Sequence, residues 1–243
     1  MQNGKNLTVL ANELGAYGND WHQAGTFKPW VLNYFADLLS KTEPGPSMET
    51  GTGKSTILFS NWSTHHRVFT IDDTNNGNSY LKVKNSPLLK GEKTEFILGP
   101  SQITLPGYKF SEPLKLAMLD GPHGFPFPFL EYYHVYPHLL EGALLIIDDI
   151  HIPVVHWLFE FLSEDPMFEL LGVAGTTAIF RRTSAPLFDP LCDGWFEQAY
   201  NVRRFPNYRG ARGLTAKERF LGLFPMKLKQ NIKNLIGNKD KGS

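Results

Sequence analysis

A single cysteine, Cys192, is all the thiol chemistry this chain of 243 residues has. One thiol cannot close an intramolecular disulfide or build a Cys-rich zinc site, so a reducing compartment is expected, with Cys192 as a buried structural thiol. Long apolar runs are missing too. The longest strongly apolar stretch, Ala143 to Ile147, is far too short to span a bilayer. The opening residues, Met1-Gln2-Asn3-Gly4-Lys5, do not lead into an apolar stretch of signal-peptide length, and the expectation is a soluble, cytoplasmic protein. Net charge is also absent, but only in the total. Of 24 Lys/Arg and 24 Asp/Glu, 11 and 2 fall from Asn201 onward, which leaves 13 and 22 in the first 200 residues. An acidic body with a basic tail follows, the tail expected to pack on the body rather than grip nucleic acid or a membrane surface. Arg203, Arg204, Phe205, Tyr208, Arg209 and Arg212 interleave charge and rings in the way that suits an anionic partner.

The chain is 42% hydrophobic, enough for one sizeable core. Residues 1–27 are rich in Gly and Asn with weak periodicity, a leading segment with no assigned core role that is placed to cover a site edge. Trp30, Val31, Tyr34, Phe35 and Leu38 then recur at helical spacing and predict a helix over 28–39, closed by Glu43-Pro44-Gly45-Pro46. A strand before Gly51, a turn and a short helix through Ile57-Leu58-Phe59 follow. Further β-rich runs occupy 67–71, 94–98, 114–119 and 143–147, with helices expected at 129–140, interrupted by Pro137, and at 154–162. The crossover after the second strand, 74–79, is Asn/Gly-rich and helix-poor. Two last β runs, 168–173 and 176–182, are separated only by Ala174-Gly175, too little chain for a parallel crossover.

The expected fold is therefore α/β: a Rossmann-like, seven-stranded mixed sheet, five parallel β/α units and then an antiparallel hairpin, with helices on both faces. It covers residues 28–184. A basic extension, 185–243, follows, with short helices near 216–224 and 226–236; Leu228, Ile232, Leu235 and Ile236 form a stripe suited to docking on the body.

Two chemistries compete for the stretch Ser47 to Thr56. Gly53-Lys54-Ser55 looks like the end of a phosphate-binding P-loop, but such a loop needs a glycine five residues before Gly53, and Met48 stands there. Nucleotide hydrolysis stays open as the minor reading, and Lys54 is expected to be an exposed helix-start residue. The rival reading rests on Glu49, Asp72, Ser101-Gln102, Asp120 and Asp148-Asp149, which fall at or just past the carboxyl ends of the five parallel strands, where an open α/β sheet gathers its ligand groups.

In order and position these motifs resemble the class I S-adenosylmethionine-dependent methyltransferases, especially the metal-dependent O-methyltransferases of catechol and macrocin type, from about Trp30 to Arg182. Glu49-Thr50-Gly51-Thr52-Gly53 is similar to the motif that holds the cofactor's methionine end, and Asp72 to the ribose-binding acid. Gly99-Pro100-Ser101-Gln102 is similar to the segment that contacts adenine. Leu119-Asp120-Gly121-Pro122-His123 and Ile147-Asp148-Asp149 resemble the magnesium-site segments of sugar and macrolide relatives.

The resemblance implies transfer of a methyl group from S-adenosylmethionine to a hydroxyl of a small molecule or glycan, with Mg2+ or another divalent cation on Asp120, Asp148 and Asp149. Three such carboxylates repel one another unless a cation offsets them. Catechol-type enzymes place a lysine where this chain has His123, which makes His123 the first candidate base and His151 the second, or an orienter of the metal acids. Phe125, Phe127, Phe129, Tyr132 and Tyr133 would wall an acceptor or pack a core, and Arg203, Arg204 and Tyr208 would reach over the site. The same acids and histidines would also suit a metal-dependent hydroxylase on a related fold, and the strand-end acids a catalytically silent nucleoside-binding protein. No motif names the acceptor or the oligomeric state.

Overall fold

The computed structural model describes residues 2–17, 27–71 and 79–205. Asp72, Tyr208, Arg209, Arg212 and the helices expected at 216–236 lie outside these residues.

Helix α1 (Gln2–Ala16) packs on α2 (Pro29–Ser40), whose first residue is a proline, harmless where the helix has no partner for an N–H. The leading segment does have a core role, contrary to expectation. Leu7, Leu10, Ala11 and Leu14 are buried at spacings of three and four, a stripe that the surrounding Asn and Gly residues obscure.

The chain then runs through β1 (Ser47–Thr50), α3 (Lys54–Trp62), β2 (His66–Thr70), α4 (Ser79–Lys84), β3 (Thr94–Leu98), α5 (Ser101–Gly107) and β4 (Leu114–Leu119). It continues through α6 (Phe127–Val135), β5 (Leu139–Ile147), α7 (Pro153–Glu164), β6 (Phe168–Ala174) and β7 (Thr177–Arg182). The second crossover helix, α4, is only 6 residues long, as its poor helix composition implies. Helix α6 stops at Val135 rather than near Leu140, because Pro137 ends it in a turn of 3-10 helix, and β5 begins four residues before the expected Ala143.

One mixed sheet results, in the order β3-β2-β1-β4-β5-β7-β6. The first five strands are parallel and β7 pairs antiparallel with both β5 and β6. Pleating sends alternate side chains to opposite faces. Ala117, Leu119, Leu145 and Ile147 join one core beneath α5, α6 and α7, while Leu116, Met118, Leu144 and Ile146 join the other beneath α1, α2 and α3. Both faces of β4 and β5 are therefore dry, and their apolar runs need no alternation.

After β7 the chain returns along α7. Helix α8 (Ala199–Arg204) is fixed there by Arg204, 2.5 Å from Glu164, and by the same guanidinium over the Tyr200 ring at 3.7 Å. Arg203 also faces Glu164, at 3.6 Å. The expectation that these two arginines reach over the carboxyl ends of the strands is therefore corrected: one carboxylate on α7 holds both. Cys192 is exposed, not buried. No described helix is long and apolar enough to cross a membrane.

Candidate functional site

The carboxyl ends of β1, β4 and β5 and the β6–β7 turn surround a cavity of about 370 Å³. Gly51, Gly53 and Lys54 form one wall, Asp120, His123, Asp148 and Asp149 the floor, and Trp30 and Gly175 part of the rim. The turn after β1 is tight. Gly51 has φ +86°, and a β-carbon on it would sit 2.5 Å from the Asp120 carbonyl oxygen, so this backbone approach requires glycine. The Gly53 N–H donates to Thr56 Oγ1 at 3.0 Å and starts α3.

Lys54 is buried rather than exposed. It turns back to donate from Nζ to the Tyr17 carbonyl at 2.7 Å, and burial lowers its pKa. The ammonium thus lies in the cavity wall and ties it to the end of α1.

On the floor, His123 Nε2 lies 3.2 Å from Asp149 Oδ2 and 3.7 Å from Asp120 Oδ1. That nitrogen is buried and meets no hydrogen-bonding geometry. Asp120, His123 and Asp149 bring one ligand atom each within 4.8 Å of one another. Asp148 is engaged differently: its Oδ1 accepts from Thr177 Oγ1 at 2.6 Å and Thr176 Oγ1 at 3.3 Å. Of the three expected metal acids, two therefore converge with a histidine, and the third braces the β6–β7 turn. His151 does not line the cavity; it is exposed, with Nδ1 3.6 Å from Asp149 Oδ1.

Charge crowding shows in the acids. Asp120 is open to the cavity but enclosed by protein, and this burial pushes its pKa to about 7, with His123 opposing and Asp148 and Asp149 reinforcing. Burial also raises Asp148, against the Thr177 hydrogen bond. The Asp120 carboxylate raises His123 in spite of burial. Asp149 has φ +56°, a left-handed conformation that costs a non-glycine residue energy and is held here by Ile150 N–H to Thr176 O and Ile152 N–H to Asp149 O, both 2.9 Å.

Glu49, Ser101 and Gln102 do not line this cavity. Strand pleating points Glu49 away from the cavity, beneath α3, where its Oε1 is 3.2 Å from His66 Nε2; His66 Nδ1 meets Ser47 Oγ at 2.7 Å. Ser101 is buried and donates to Glu131 Oε1 at 2.6 Å, with Gln102 half-buried beside it. Asp72 is outside the described residues.

Glu131 is a residue the sequence pattern does not single out. It comes from α6 and is 2% exposed. Its carboxyl accepts from Thr50 Oγ1 at 3.0 Å, from Ser101 and from the Gly121 N–H, while Thr50 Oγ1 in turn accepts from Asp120 N–H at 2.9 Å. The ends of β1 and β4 and the start of α5 thus meet on one buried carboxyl, whose pKa burial raises to about 7. A signal exists: an acid amid Phe129, Leu130, Tyr132 and Tyr133 on a helix covering the sheet needs a polar partner.

Five parallel strands followed by an antiparallel hairpin, in the order described, make the Rossmann-like fold of class I methyltransferases. Among solved structures sharing it is the O-methyltransferase TomG from Streptomyces achromogenes, determined in complex with SAM, at TM-score 0.52 and 12% identity over 76% of this chain and 91% of that one. The Podospora anserina methyltransferase PaMTH1, SAH-bound, matches at TM-score 0.52 and 13% identity over 76% and 89%. The O-methyltransferase from Bacillus cereus, in complex with SAH, matches at 0.51 and 13% over 75% and 91%. Likeness at this identity establishes the fold. No protein-family model matches the chain, and neither does any curated protein sequence.

Proposed function

We propose that this protein transfers the methyl group of S-adenosylmethionine to a hydroxyl of a small molecule or glycan, assisted by a divalent cation. One observation carries the reading: a glycine-turn cavity over the carboxyl ends of a methyltransferase-type sheet has Asp120, His123 and Asp149 converging on its floor. Acids there suit a sulfonium cofactor as well as a metal. Gly51 and Gly53 would hold the cofactor's methionine end, with Asp72 and Gln102 as the proposed ribose and adenine contacts.

The cation site fits its residues. His123 Nε2 is a buried nitrogen with two carboxylates beside it and no hydrogen bond. Asp120, Asp149 and His123 would hold the ion, and Asp148, fixed by Thr177, would keep the Asp149 turn in place. A divalent cation bound there supplies positive charge that lowers the pKa of a nearby hydroxyl. The imidazole favours Mn2+ or another transition ion over Mg2+. With His123 engaged as a ligand of the ion, His151, exposed and 3.6 Å from Asp149, would take the proton and pass it to water.

The test is transfer of labelled methyl from S-adenosylmethionine to a panel of hydroxyl compounds. Activity should require cation, and the Asp120→Asn/Asp149→Asn pair should lower Mn2+ affinity by at least about tenfold. Undiminished transfer in chelator would remove the cation from the account. The two-carboxylate, one-imidazole cluster also fits iron. A metal-dependent hydroxylase is the second reading, and iron-dependent oxygen uptake without methyl transfer would select it.

A further inference from the structure

Glu131 is out of keeping with its place in the fold. It falls in the buried stripe of α6, with Pro128, Tyr132 and Val135, where a spacing of three and four asks for an apolar side chain. A carboxyl there must be matched by donors, and three reach it. Thr50 Oγ1 donates to Oε2 at 3.0 Å, Ser101 Oγ donates to Oε1 at 2.6 Å, and the Gly121 N–H donates as well.

Each donor belongs to a different part of the candidate site. Thr50 ends β1 and precedes Gly51 of the glycine turn, Ser101 opens α5 and precedes Gln102, and Gly121 follows Asp120 just past β4. Asp120 is held twice over, because its own N–H donates to Thr50 Oγ1 at 2.9 Å and so reaches Glu131 through one hydroxyl. The approach is close: a β-carbon on Gly121 would overlap Glu131 Oε1. Glu131 does not line the acidic cavity. It stands behind the floor, where it shares with His123 and Asp148 the lining of a void of about 10 Å³.

A carboxyl that lines no ligand cavity yet fixes backbone on either side of one acts through position. We propose that Glu131 is a positioning residue for both ligands of the acidic cavity, setting the Thr50–Gly51 turn and the start of α5 for S-adenosylmethionine and the Asp120–Gly121 backbone for the cation. The proposal rests on the methyltransferase reading above. Leucine at this position would suit the stripe but leave the Thr50, Ser101 and Gly121 donors without their acceptor, free to relax independently. The arms differ in what they hold. Thr50 serves both ligands, through Gly51 and through the Asp120 N–H, whereas Ser101 serves only the cofactor.

The test measures the two ligands separately on the full chain, SAH by calorimetry and Mn2+ by electron paramagnetic resonance of the free ion, well below the unfolding temperature of each variant. Glu131→Leu should weaken both by about tenfold or more. Thr50→Val, which keeps the side-chain shape, should weaken both by about fivefold, the worth of one hydrogen bond. Ser101→Ala should weaken SAH by about fivefold and Mn2+ by less than about twofold. Glu131→Gln keeps an acceptor oxygen and its amide can donate to a hydroxyl, so both affinities should stay within about threefold of the parent. General loosening of the fold would not respect this division by arm. Should Glu131→Leu not fold, Thr50→Val and Ser101→Ala decide alone. Parent-like Mn2+ binding in Thr50→Val, equal losses of both ligands in Ser101→Ala, or a loss in Glu131→Gln as large as in Glu131→Leu would each overturn the proposal. A parent that binds SAH but no Mn2+ would overturn it too and leave the cofactor reading intact. A parent that binds neither would remove the methyltransferase reading, and this proposal with it.

Discussion

Asp149 holds a left-handed backbone that glycine would adopt freely, and it is aspartate at the point where a charge faces the cavity. Asp149→Gly relieves the backbone while removing the carboxylate, so thermal stability should stay within about 1 kcal/mol of the parent although cation binding is lost. Asp149→Ala should lose the cation and also cost about 1–2 kcal/mol, measured by denaturant unfolding. Equal stability of the two variants would show that the turn stores no strain. Glu131 makes a pH prediction. Its carboxyl rises from an ordinary 4.5 to about 7 on folding, so the folded state holds the proton more tightly. The associated stability is fully present below pH 4.5, is lost as pH rises toward 7, and is level above that. Glu131→Gln should remove this fall, on the order of 3 kcal/mol, and leave the variant relatively more stable at pH 8 than at pH 4. An unchanged pH slope would mean that Glu131 is ionised in the native protein. Asp120, Asp148 and Asp149 are legible in the sequence because each ends an apolar run. Glu131 is hidden inside a ring-rich helix, and the direction of Glu49 depends on strand parity, which Met48 pointing into the α5–α7 core fixes only once the sheet is known.

At the scale of elements, the turn between β1 and α3 controls the site. Gly51→Ala would drive a β-carbon into the Asp120 carbonyl, at 2.5 Å, in a backbone region that alanine avoids. A loss of about 2 kcal/mol or more is expected, together with weaker cofactor binding, by thermal unfolding with and without S-adenosylmethionine. The same substitution at Gly107, where nothing lies within 4 Å, is the control. Met48 in place of a glycine speaks against a P-loop, but it says nothing about Lys54. That long side chain reaches the Tyr17 carbonyl, a partner 37 residues away that no local pattern reveals. Strands β3, β4 and the closing hairpin are readable because their runs are short and bounded by turn residues. Helix α1 is not, since its four buried apolar positions sit among residues that weaken helices.

Across the whole molecule, two cores on the two faces of one sheet hold the strand ends in a fixed array, and the acids gather where those ends meet. Of the basic stretch from Asn201, Arg203 and Arg204 spend their charge on Glu164. Glu164→Gln should therefore loosen α8 and speed proteolysis within 195–205 while leaving methyl transfer within about twofold, since none of these residues lines the acidic cavity. The central claim is that the acidic cavity takes S-adenosylmethionine, and titration calorimetry with that cofactor tests it most directly. The account predicts one site per chain, with affinity in about the micromolar range, weakened at least about tenfold by Gly51→Ala. No heat of binding for S-adenosylmethionine or its demethylated product, at any cation concentration, would contradict it.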